Sequence, residues 1–468
     1  METDIDRQFA TPTLWQSLLC FLVVIAIIGS GLFVFAIDLH VLMFLCLLWV
    51  GGNTHFLGYR YPEIRSLMSD AINRALPAIY IFILIGMVIA SFMHSGTIAA
   101  LMYYGLDWLS PVLFLSLGMI LCALMSVATG TSWGTVGTLG VVFMGIGDAM
   151  AMPLPLVAGM VVCGATFGDK MSPVSDTTNL AAMSAGTNLY RHIYGMLFTT
   201  LPAFGLALVI VTVIGLGYKE SPLVTADIEL IQDALADNYR LSPVIALLPI
   251  IVLAVLSFKR TAPEVSMSAS IVTAVVVAVI YQGSSGVTVL NALWANSPGN
   301  TGVGSLDDLL GRGGILGMAW TLILALMALA LGGMLHGAGY LSTLLEGIIS
   351  RVQRVVTLVG TTIASGFIGN LAMGEAYISI ILNCQLFREK YRDKELDPAL
   401  LSRTVEEGST MTTGLIPWTT AGAFYATTLG VPVLDYAPYA FFNYLNALVA
   451  VVMAGLGIGL LGSKPRSL

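Results

Sequence analysis

The chain has 468 residues, of which 57% are hydrophobic and 10% are charged, and its formal net charge is −7. A soluble domain carries about 25% charged residues, so this chain lacks the charge that a water-facing surface needs. These numbers exclude an ordinary soluble protein and predict an all-α polytopic membrane protein. The charges are dispersed along the chain, and without a basic patch no nucleic-acid partner is predicted.

Twelve apolar segments are candidates to cross a bilayer, which takes about 20 apolar residues. In chain order, the first six are Leu14–Phe35, Leu39–Gly52, Leu76–Phe92, Pro111–Gly147, Pro153–Ala185 and Ile193–Leu216. The other six are Pro243–Phe258, Ser266–Tyr281, Ile315–Leu335, Val355–Phe387, Ala399–Leu429 and Ala437–Leu461. The chain therefore divides into two halves with six segments each.

Two segments in each half are interrupted. The fourth is too long for one crossing and contains Gly and Thr near its middle, which predicts a re-entrant hairpin. The fifth is interrupted around Pro173 and around Pro417. Each half then has five crossings and one hairpin, and an odd number of crossings gives the halves opposite orientations. We predict two inverted repeats, residues 1–217 and 241–468, with broken helices at the membrane midplane. Fourteen crossings is the alternative if each hairpin crosses twice.

Residues 218–240 join the two halves and contain five acidic residues, Glu220, Asp227, Glu229, Asp233 and Asp237. We predict an extracytoplasmic acidic linker with a surface helix. Similarity between the halves is thin. At one constant offset along the chain, His94 matches His336, and Thr177-Thr178 matches Thr419-Thr420. His94 and His336 end equivalent segments, where a proton-sensing role stands beside a purely structural one.

The basic residues predict the orientation, because cytoplasmic loops are enriched in Lys and Arg. With the N-terminus inside, 16 of the 20 basic residues are cytoplasmic, Lys170 lies within the membrane, and Lys219, Arg240 and Arg312 lie outside. We therefore predict a multi-pass protein of the bacterial cytoplasmic (inner) membrane with both termini in the cytoplasm. The cytoplasmic set is Arg7, Arg60, Arg65, Arg74, Arg191, Lys259, Arg260, Arg351, Arg354, Arg388, Lys390, Arg392, Lys394, Arg403, Lys464 and Arg466.

Four polar stretches interrupt the apolar segments, at residues 129–135, 168–179, 369–375 and 406–420. In hydrocarbon every unpaired backbone group is costly, so a broken helix is tolerated only around a cavity or a bound ion. The breaks free carbonyl groups, and their side chains add hydroxyls and carboxylates. Oxygen ligands of this kind suit a hard cation such as sodium.

The candidate site residues come from these four stretches. Asp169 and Asp176 are the predicted sodium ligands, because an acidic residue at membrane depth indicates function. Ser, Thr and Asp also cap helix N-termini, which is the structural alternative. The candidate cation- or substrate-binding residues are Thr129, Thr131, Ser132, Asp169, Ser172, Ser175, Asp176, Thr177, Asn179, Asn370, Glu375 and Thr419.

Proton coupling is assigned to Asp176, Asp169, Lys170 and Glu406. Two roles are open for Lys170, which either forms a structural ion pair with Asp169 or competes with sodium for the carboxylates. Two environments are open for Glu406, which either contributes to the site or lies solvated near the cytoplasmic end of its helix.

Residues 130–134, Gly-Thr-Ser-Trp-Gly, fit the G-x-S-x-G pattern of hydrolases. That pattern needs a strand before the serine and a soluble α/β fold, whereas this copy lies inside an apolar segment. The sequence also has no phosphate-binding P-loop. We therefore predict neither an enzyme nor an ATP-driven pump, and no cofactor.

Residues 168–181, Gly-Asp-Lys-Met-Ser-Pro-Val-Ser-Asp-Thr-Thr-Asn-Leu-Ala, resemble the NhaC-type sodium/proton antiporter family. Residues 128–135, 415–418 and 429–432 support the resemblance, which covers nearly the whole chain. It implies the ion-transporter fold of two inverted repeats, each with a hairpin, and exchange of sodium for protons. Glu375 stands where an Asp is expected in typical relatives, so the chain departs from the family pattern there.

These observations predict a secondary transporter, namely a sodium/proton antiporter in which the two ions compete for a carboxylate at the midplane. Its predicted partners are sodium, protons and the lipid bilayer. The alternative is a sodium- or proton-coupled exchanger of a small organic acid, of the malate/lactate type, or of amino acids. A channel fits less well, because inverted repeats with broken helices suit alternating access. The oligomeric state is open, with a homodimer as one alternative.

Overall fold

The computed structural model of the protein describes residues 9–108, 110–218, 225–259, 261–349 and 352–461. Within these ranges the chain is helical and forms no β-strand, which confirms the all-α class. Part of the predicted linker, residues 219–224, lies outside them. The basic residues outside the described ranges are Arg7, Lys219, Arg260, Arg351, Lys464 and Arg466.

The described helices of the first half are separated by short turns or by breaks of a few residues. They are α1 (Leu14–Phe33), α2 (Leu39–Phe56), α3 (Tyr61–Arg74), α4 (Leu76–His94), α5 (Thr97–Trp108), α6 (Pro111–Thr129), α7 (Ser132–Thr135), α8 (Val141–Ala149), α9 (Leu154–Met171), α10 (Asp176–Ala185) and α11 (Leu189–Leu216). A π-helical segment, Val136–Gly140, joins α7 to α8. Helix α12 (Thr225–Asn238) lies in the predicted linker.

The described helices of the second half are also joined by short connections. They are α13 (Pro243–Ala246), α14 (Leu248–Phe258), α15 (Pro263–Val276), α16 (Gly286–Trp294), α17 (Gly304–Leu310), α18 (Ala319–Gly337), α19 (Tyr340–Ile349), α20 (Val355–Met373), α21 (Ala376–Asp393), α22 (Pro398–Gly408), α23 (Thr410–Thr413), α24 (Thr420–Leu429), α25 (Val433–Tyr436) and α26 (Phe441–Gly455). A π-helical segment, Val277–Tyr281, extends α15, and 3₁₀ turns at Leu316–Met318 and Ala437–Tyr439 precede α18 and α26.

Eight of the described helices are long and apolar enough to cross a membrane: α1, α2, α6, α9, α11, α15 with its π-helical extension, α18 with its 3₁₀ turn, and α20. The number reaches ten if two bent helix pairs each form one broken span. These pairs are α3 with Ile79–His94, bent by 46°, and Val433–Tyr439 with α26, bent by 54°. The protein is therefore a multi-pass membrane protein. Helices α6 and α20 are the first arms of the predicted hairpins, and each is long enough to cross the membrane by itself. The re-entrant hairpins therefore stay a prediction.

Every predicted apolar segment contains a helix, and the fourth and fifth segments break at the predicted stretches. The predicted segments leave out helices α3, α5 and α19, and also the shorter helices α16, α17 and α25, which have nine residues or fewer. Three of these helices have ten residues or more. Helix α3 carries Glu63, Arg65, Asp70 and Arg74, so its hydropathy is too low to be recognised as an apolar segment. The other two are short, with 12 and 10 residues, and lie between longer apolar segments.

Capping residues explain where the two predicted hairpins break. Helix α6 ends at Gly130, whose φ is 72°, and α20 ends at Gly374, whose φ is 65°. Glycine adopts this left-handed conformation without a steric penalty. The next residue is extended in both places, and its side chain accepts a hydrogen bond from the new helix. Thr131 accepts from Gly134 N, and Glu375 accepts from Ile378 N.

Two helices of the first half have a counterpart of equal length in the second half. Helices α6 and α20 both have 19 residues, and helices α10 and α24 both have 10 residues. The same offset along the chain separates α6 from α20 and α10 from α24. Their N-caps Ser175 and Thr419 are therefore equivalent by position. The sequence comparison matches Thr177 with Thr419 instead, at an offset two residues shorter than that of these helices.

The hydrophobic core is shared between the halves. One large cluster of buried residues includes Phe82 from α4, Phe114 from α6, Phe424 from α24 and Phe442 from α26. In addition, α10 packs against α21, α11 against α26, and α18 against α2 and α3. This interleaving brings all four polar breaks into one region of the protein.

Candidate functional site

A cavity of about 900 Å³ lies where the four breaks meet. It extends to the ends of α3, α14 and α15, where Arg74, Ser257 and Glu264 form part of its wall. Around the breaks its wall includes Thr129, Gly130, Thr131, Ser132, Trp133, Asp169, Asp176, Thr177, Asn179, Glu375, Tyr377, Thr410, Thr413 and Thr420. Eight of the predicted binding residues therefore face one space.

Close backbone packing holds the first hairpin against the break between α9 and α10. A Cβ atom added at Gly130 would lie 2.6 Å from Val174 Cγ2, so only glycine fits there. The Ser172 hydroxyl donates to Val127 O at 2.7 Å across the same contact. The first hairpin and the Asp169–Asp176 segment thus form one rigid wall of the cavity.

Asp169 lies in the last turn of α9, and its buried carboxylate is held by two hydroxyl groups. Ser132 Oγ donates to Oδ2 at 2.6 Å, and Ser175 Oγ donates to Oδ1 at 2.8 Å. These donors come from the first hairpin and from the N-cap of α10. Each carboxylate oxygen keeps a free lone pair, so the group can still bind a cation at the cavity wall.

Asp176 is the first residue of α10, and its side chain is exposed to the cavity. Oδ1 accepts from Thr177 N at 2.8 Å, and Oδ2 accepts from the hydroxyl of Tyr377 on α21. A helix N-terminus favours a negative charge. The arrangement therefore holds the Asp176 carboxyl group in place while one side of it faces the cavity.

Glu375 is buried at the start of α21, where it caps the helix and also faces the cavity. Oε2 accepts from Ile378 N at 3.1 Å, which is an N-cap, and the residue also lines the cavity. None of the ion pairs among the described residues involves Asp169, Asp176 or Glu375. Three carboxylates thus line one cavity with hydrogen-bond donors around them but no paired Lys or Arg.

Four predicted binding residues do not line the cavity and instead hold the breaks in shape. Ser172 and Ser175 make the bonds given above. Asn370 Nδ2 donates to Ser409 O at 2.6 Å and to Thr412 Oγ1 at 2.9 Å, and Thr419 caps α24 by accepting from Gly422 N at 3.0 Å. Asn179 lines the cavity but donates to Ser175 O at 2.6 Å.

Lys170 points away from the cavity, although Asp169 is its neighbour in sequence. Its Nζ lies 2.7 Å from Asn446 Oδ1 and 3.9 Å from Glu407 Oε1, and the Lys170 side chain has no exposed surface. The suggested ion pair between Lys170 and Asp169 is therefore wrong, since successive residues on a helix point about 100° apart. Arg403 Nε lies 3.5 Å from the same Glu407 oxygen. We call Lys170, Arg403 and Glu407 the buried ion cluster.

Glu406 is fully buried and does not line the cavity. The alternative of a solvated Glu406 is wrong. Arg403, which the sequence analysis counts among the cytoplasmic residues, is also fully buried, within α22, and donates to Gly195 O and Gly459 O. Its burial is possible because Glu407, one helical turn away, supplies the opposite charge.

Sequence reasoning missed three polar residues in this region: Tyr377, His192 and Glu407. Tyr377 closely follows the second hairpin break, which could have drawn attention to it. The spacing of Arg403 and Glu407 is that of a helical ion pair, and this signal was also present. The signal for His192 was absent, because its partner Glu406 lies in the other half of the chain.

The two histidines considered as proton sensors lie at helix ends, as expected. His94 is the last residue of α4, and His336 lies in the last turn of α18. His94 Nε2 lies 3.1 Å from Asn296 Oδ1. His336 lines the cavity, and its Nδ1 is buried without a hydrogen bond. Only His336 therefore has direct access to the cavity.

The Gly-Thr-Ser-Trp-Gly sequence follows helix α6, whereas the hydrolase turn that it resembles follows a strand. The Ser132 hydroxyl donates to Asp169, and within the described residues no hydrogen bond joins it to a histidine that could act as a base. This geometry does not form a hydrolase site.

Sequence comparisons match this chain to one protein family and to several relatives. Residues 164–458 match the Na+/H+ antiporter family. The Na(+)/H(+) antiporter NhaC of Alkalihalophilus pseudofirmus is 36% identical over 97% of this chain and 98% of its own length. The malate-2H(+)/Na(+)-lactate antiporter of Bacillus subtilis is 30% identical over 95% of each chain. The arginine/ornithine antiporter ArcD of Halobacterium salinarum is 32% identical over 95% of this chain and 92% of its own.

These relatives are named as antiporters, and none of these matches indicates a catalytic family. They align with nearly the whole chain, including both halves and all four polar breaks. Together with the apolar helices, the matches make this chain an ion-transporting membrane protein. The chain belongs to the Na+/H+ antiporter family.

Proposed function

We propose that the protein exchanges sodium for protons and that the cavity at the four breaks is the cation site. One observation carries this proposal: Asp169 and Asp176 face the same cavity, held by hydroxyl and amide donors, with no Lys or Arg in an ion pair with either among the described residues. Such carboxylates need a counter-charge, which sodium or a proton supplies in turn.

In this proposal sodium binds between the two aspartates with help from the cavity hydroxyls and from Glu375. Thr129, Thr131, Ser132 and Thr177 line the same wall and offer further oxygen ligands. Asp176 carries the competing proton, since its side chain is exposed to the cavity. Lys170 and Glu406 influence this exchange from behind the cavity wall.

We further propose that residues 1–217 and 241–468 are inverted repeats joined by a linker outside the cell. The matched helix lengths, and the glycine that ends α6 and α20 at equivalent positions, support the repeats. The distribution of Lys and Arg supports cytoplasmic termini in the inner membrane of a bacterium. Arg74 is assigned to the cytoplasmic side and forms part of the cavity wall, so the described conformation would be open to the cytoplasm.

A second candidate function is exchange of an organic acid or an amino acid, coupled to sodium or protons. The volume of the cavity favours this candidate, because about 900 Å³ is far more than one cation needs and lies in the range of small-molecule sites. The names of the malate/lactate and arginine/ornithine relatives support it as well.

The test is transport by the purified protein in liposomes that contain a pH indicator. A sodium gradient alone should drive proton movement in the opposite direction. If movement requires malate, lactate, arginine or ornithine on one side, the second candidate replaces the first. If neither condition moves protons, sodium/proton exchange and proton-coupled exchange of these substrates are both wrong.

A further inference from the structure

A second group of buried titratable residues lies outside the cavity, between α11 and α22. His192 Nε2 lies 3.3 Å from Glu406 Oε2, and both side chains are completely buried. His192 Nδ1 lies 2.6 Å from Ser402 Oγ on the other side of the ring. Neither His192 nor Glu406 lines the cavity. The pair is therefore separate from the carboxylates that face the cation.

The surroundings of Glu406 differ from those of its neighbour Glu407. Glu407 Oε1 accepts a hydrogen bond from Thr199 Oγ1 at 2.5 Å and lies 3.5 Å from Arg403 Nε and 3.9 Å from Lys170 Nζ. Glu406 forms an ion pair with no Lys or Arg in the described chain. Its contacts are His192 and the Thr410 hydroxyl at 3.5 Å.

Two facing atoms of the pair have no hydrogen bond, namely His192 Nε2 and Glu406 Oε2. Ser402 Oγ donates to Ala399 O, so His192 Nδ1 is the donor to Ser402, and the lone pair of a neutral Nε2 would face the ionised Glu406 carboxylate in a buried site. One added proton removes the problem, either as imidazolium beside carboxylate or as neutral imidazole beside carboxylic acid. Each state contains one proton more than the unprotonated pair.

The pair has one contact toward the cavity, and His192 lies next in sequence to a residue at the protein surface. His192 follows Arg191 in the first turn of α11, and the Arg191 side chain is half-exposed at the protein surface, where it contacts Asp397. At the other end, Thr410 contacts Glu406 and lines the cavity. The pair therefore lies between a surface and the cation site.

Several charged and titratable groups surround the pair on the helices packed against it. Helices α6, α20 and α26 contribute no charged residue. The other helices contribute Asp169 and Lys170 on α9, Asp176 on α10, Cys384, Arg388 and Tyr391 on α21, and Arg403 and Glu407 on α22.

We propose that His192 and Glu406 form a second proton-binding site, outside the cation cavity, whose proton is exchanged in addition to the one that Asp176 carries. Asp169 and Asp176 are close enough for their charges to act on Glu406. Sodium between them neutralises negative charge, which favours release of the proton from the pair. This inference rests on the proposed sodium/proton exchange and raises the number of protons moved per sodium by one.

The first experiment uses the wild-type protein in detergent at low buffer strength. Sodium is added between about pH 6 and 9, and the protons released are counted against the sodium bound. We expect more than one proton per sodium over part of this range. Release of one proton or fewer at every pH would overturn the second site.

The second experiment locates the extra proton. The reversal potential of exchange is measured in liposomes with a clamped membrane potential, for the wild type and for His192→Gln and Glu406→Gln. We expect each variant to move one proton fewer per sodium. The control is His55→Gln, which makes the same change at an exposed histidine at the end of α2 and should leave the ratio unchanged.

The outcomes separate this inference from the proposed function. Exchange by the wild type with the same proton ratio in both variants would mean that the pair is only structural. Absence of sodium-driven proton movement in the wild type would instead defeat the proposed function itself. If His192→Gln fails to give folded protein, Glu406→Gln and the proton count of the wild type decide the question.

Discussion

The cavity and the buried ion cluster behind it share helix α9, yet their charges have opposite surroundings. Asp169 on α9 faces the cavity and accepts only from hydroxyl groups, whereas Lys170, the next residue, faces Glu407. In the cluster, two buried cations share one buried carboxylate, so each charge has an opposite protein charge within 4 Å. In the cavity, the counter-charge must come from outside the protein.

This difference separates structural from functional charges in a membrane protein. A buried ion pair is satisfied permanently, and removing one partner leaves an unpaired charge in a medium that cannot solvate it. An unpaired carboxylate beside a cavity has its counter-ion supplied and withdrawn, as exchange requires. Variants in the two regions should therefore fail in different ways.

The largest effect is expected for Asp176→Asn, which should abolish exchange in liposomes while the protein still folds. The substitution keeps the size of the side chain and removes its charge from the exposed wall of the cavity. The matched control is Asp237→Asn on α12, where the aspartate is exposed, and it should transport normally. Normal exchange by Asp176→Asn would remove this residue from the mechanism.

The next effect concerns stability. Glu407→Gln removes the carboxylate that Lys170 and Arg403 share and should lower the free energy of unfolding by about 3–5 kcal/mol, as for other broken buried ion pairs. Unfolding in detergent micelles, followed by tryptophan fluorescence, measures it. Arg392→Met breaks an exposed pair with Glu389 and should cost less than about 1 kcal/mol. Equal losses would show that the cluster is not an ion-paired structural element.

The pH dependence tests whether sodium and protons share a carboxylate. Below the pKa of a shared group, each unit of pH should raise the apparent sodium constant about tenfold, equivalent to ~1.4 kcal/mol. Protonation removes the charge that binds sodium, so the constant rises as the pH falls. It is measured in proteoliposomes from about pH 6 to 9. A flat profile would exclude direct competition and favour the organic-substrate exchanger.

The smallest effect is expected for Glu375→Gln, which should weaken sodium affinity about fivefold, corresponding to ~1 kcal/mol of attraction across a hydrated cavity. One of its oxygens caps α21, so the residue offers less to a cation than Asp176 does. Glutamine can keep this cap. If Glu375→Gln and Glu406→Ala both bind sodium like the wild type, the cation site is confined to residues of the first half.

The sequence by itself determined the membrane class, the helical segments and the positions of the four breaks. These features depend on local composition, namely the hydropathy of about 20 residues and the Gly, Pro, Ser and Thr residues that end or begin a helix. The same local signals picked out Asp169, Asp176 and Glu375, since acidic residues are rare at such positions. Helix α3 was missed because its four charged residues lower its hydropathy below that of an apolar segment.

Only the tertiary structure decided which polar residues meet. Asp169 and Lys170 are adjacent in sequence but belong to different sites, because the rotation of α9 points one to the cavity and the other to α22. Tyr377 reaches Asp176, and His192 reaches Glu406, and in each case the two partners come from different halves of the chain. Such contacts depend on how distant helices pack, and no spacing within one segment encodes them.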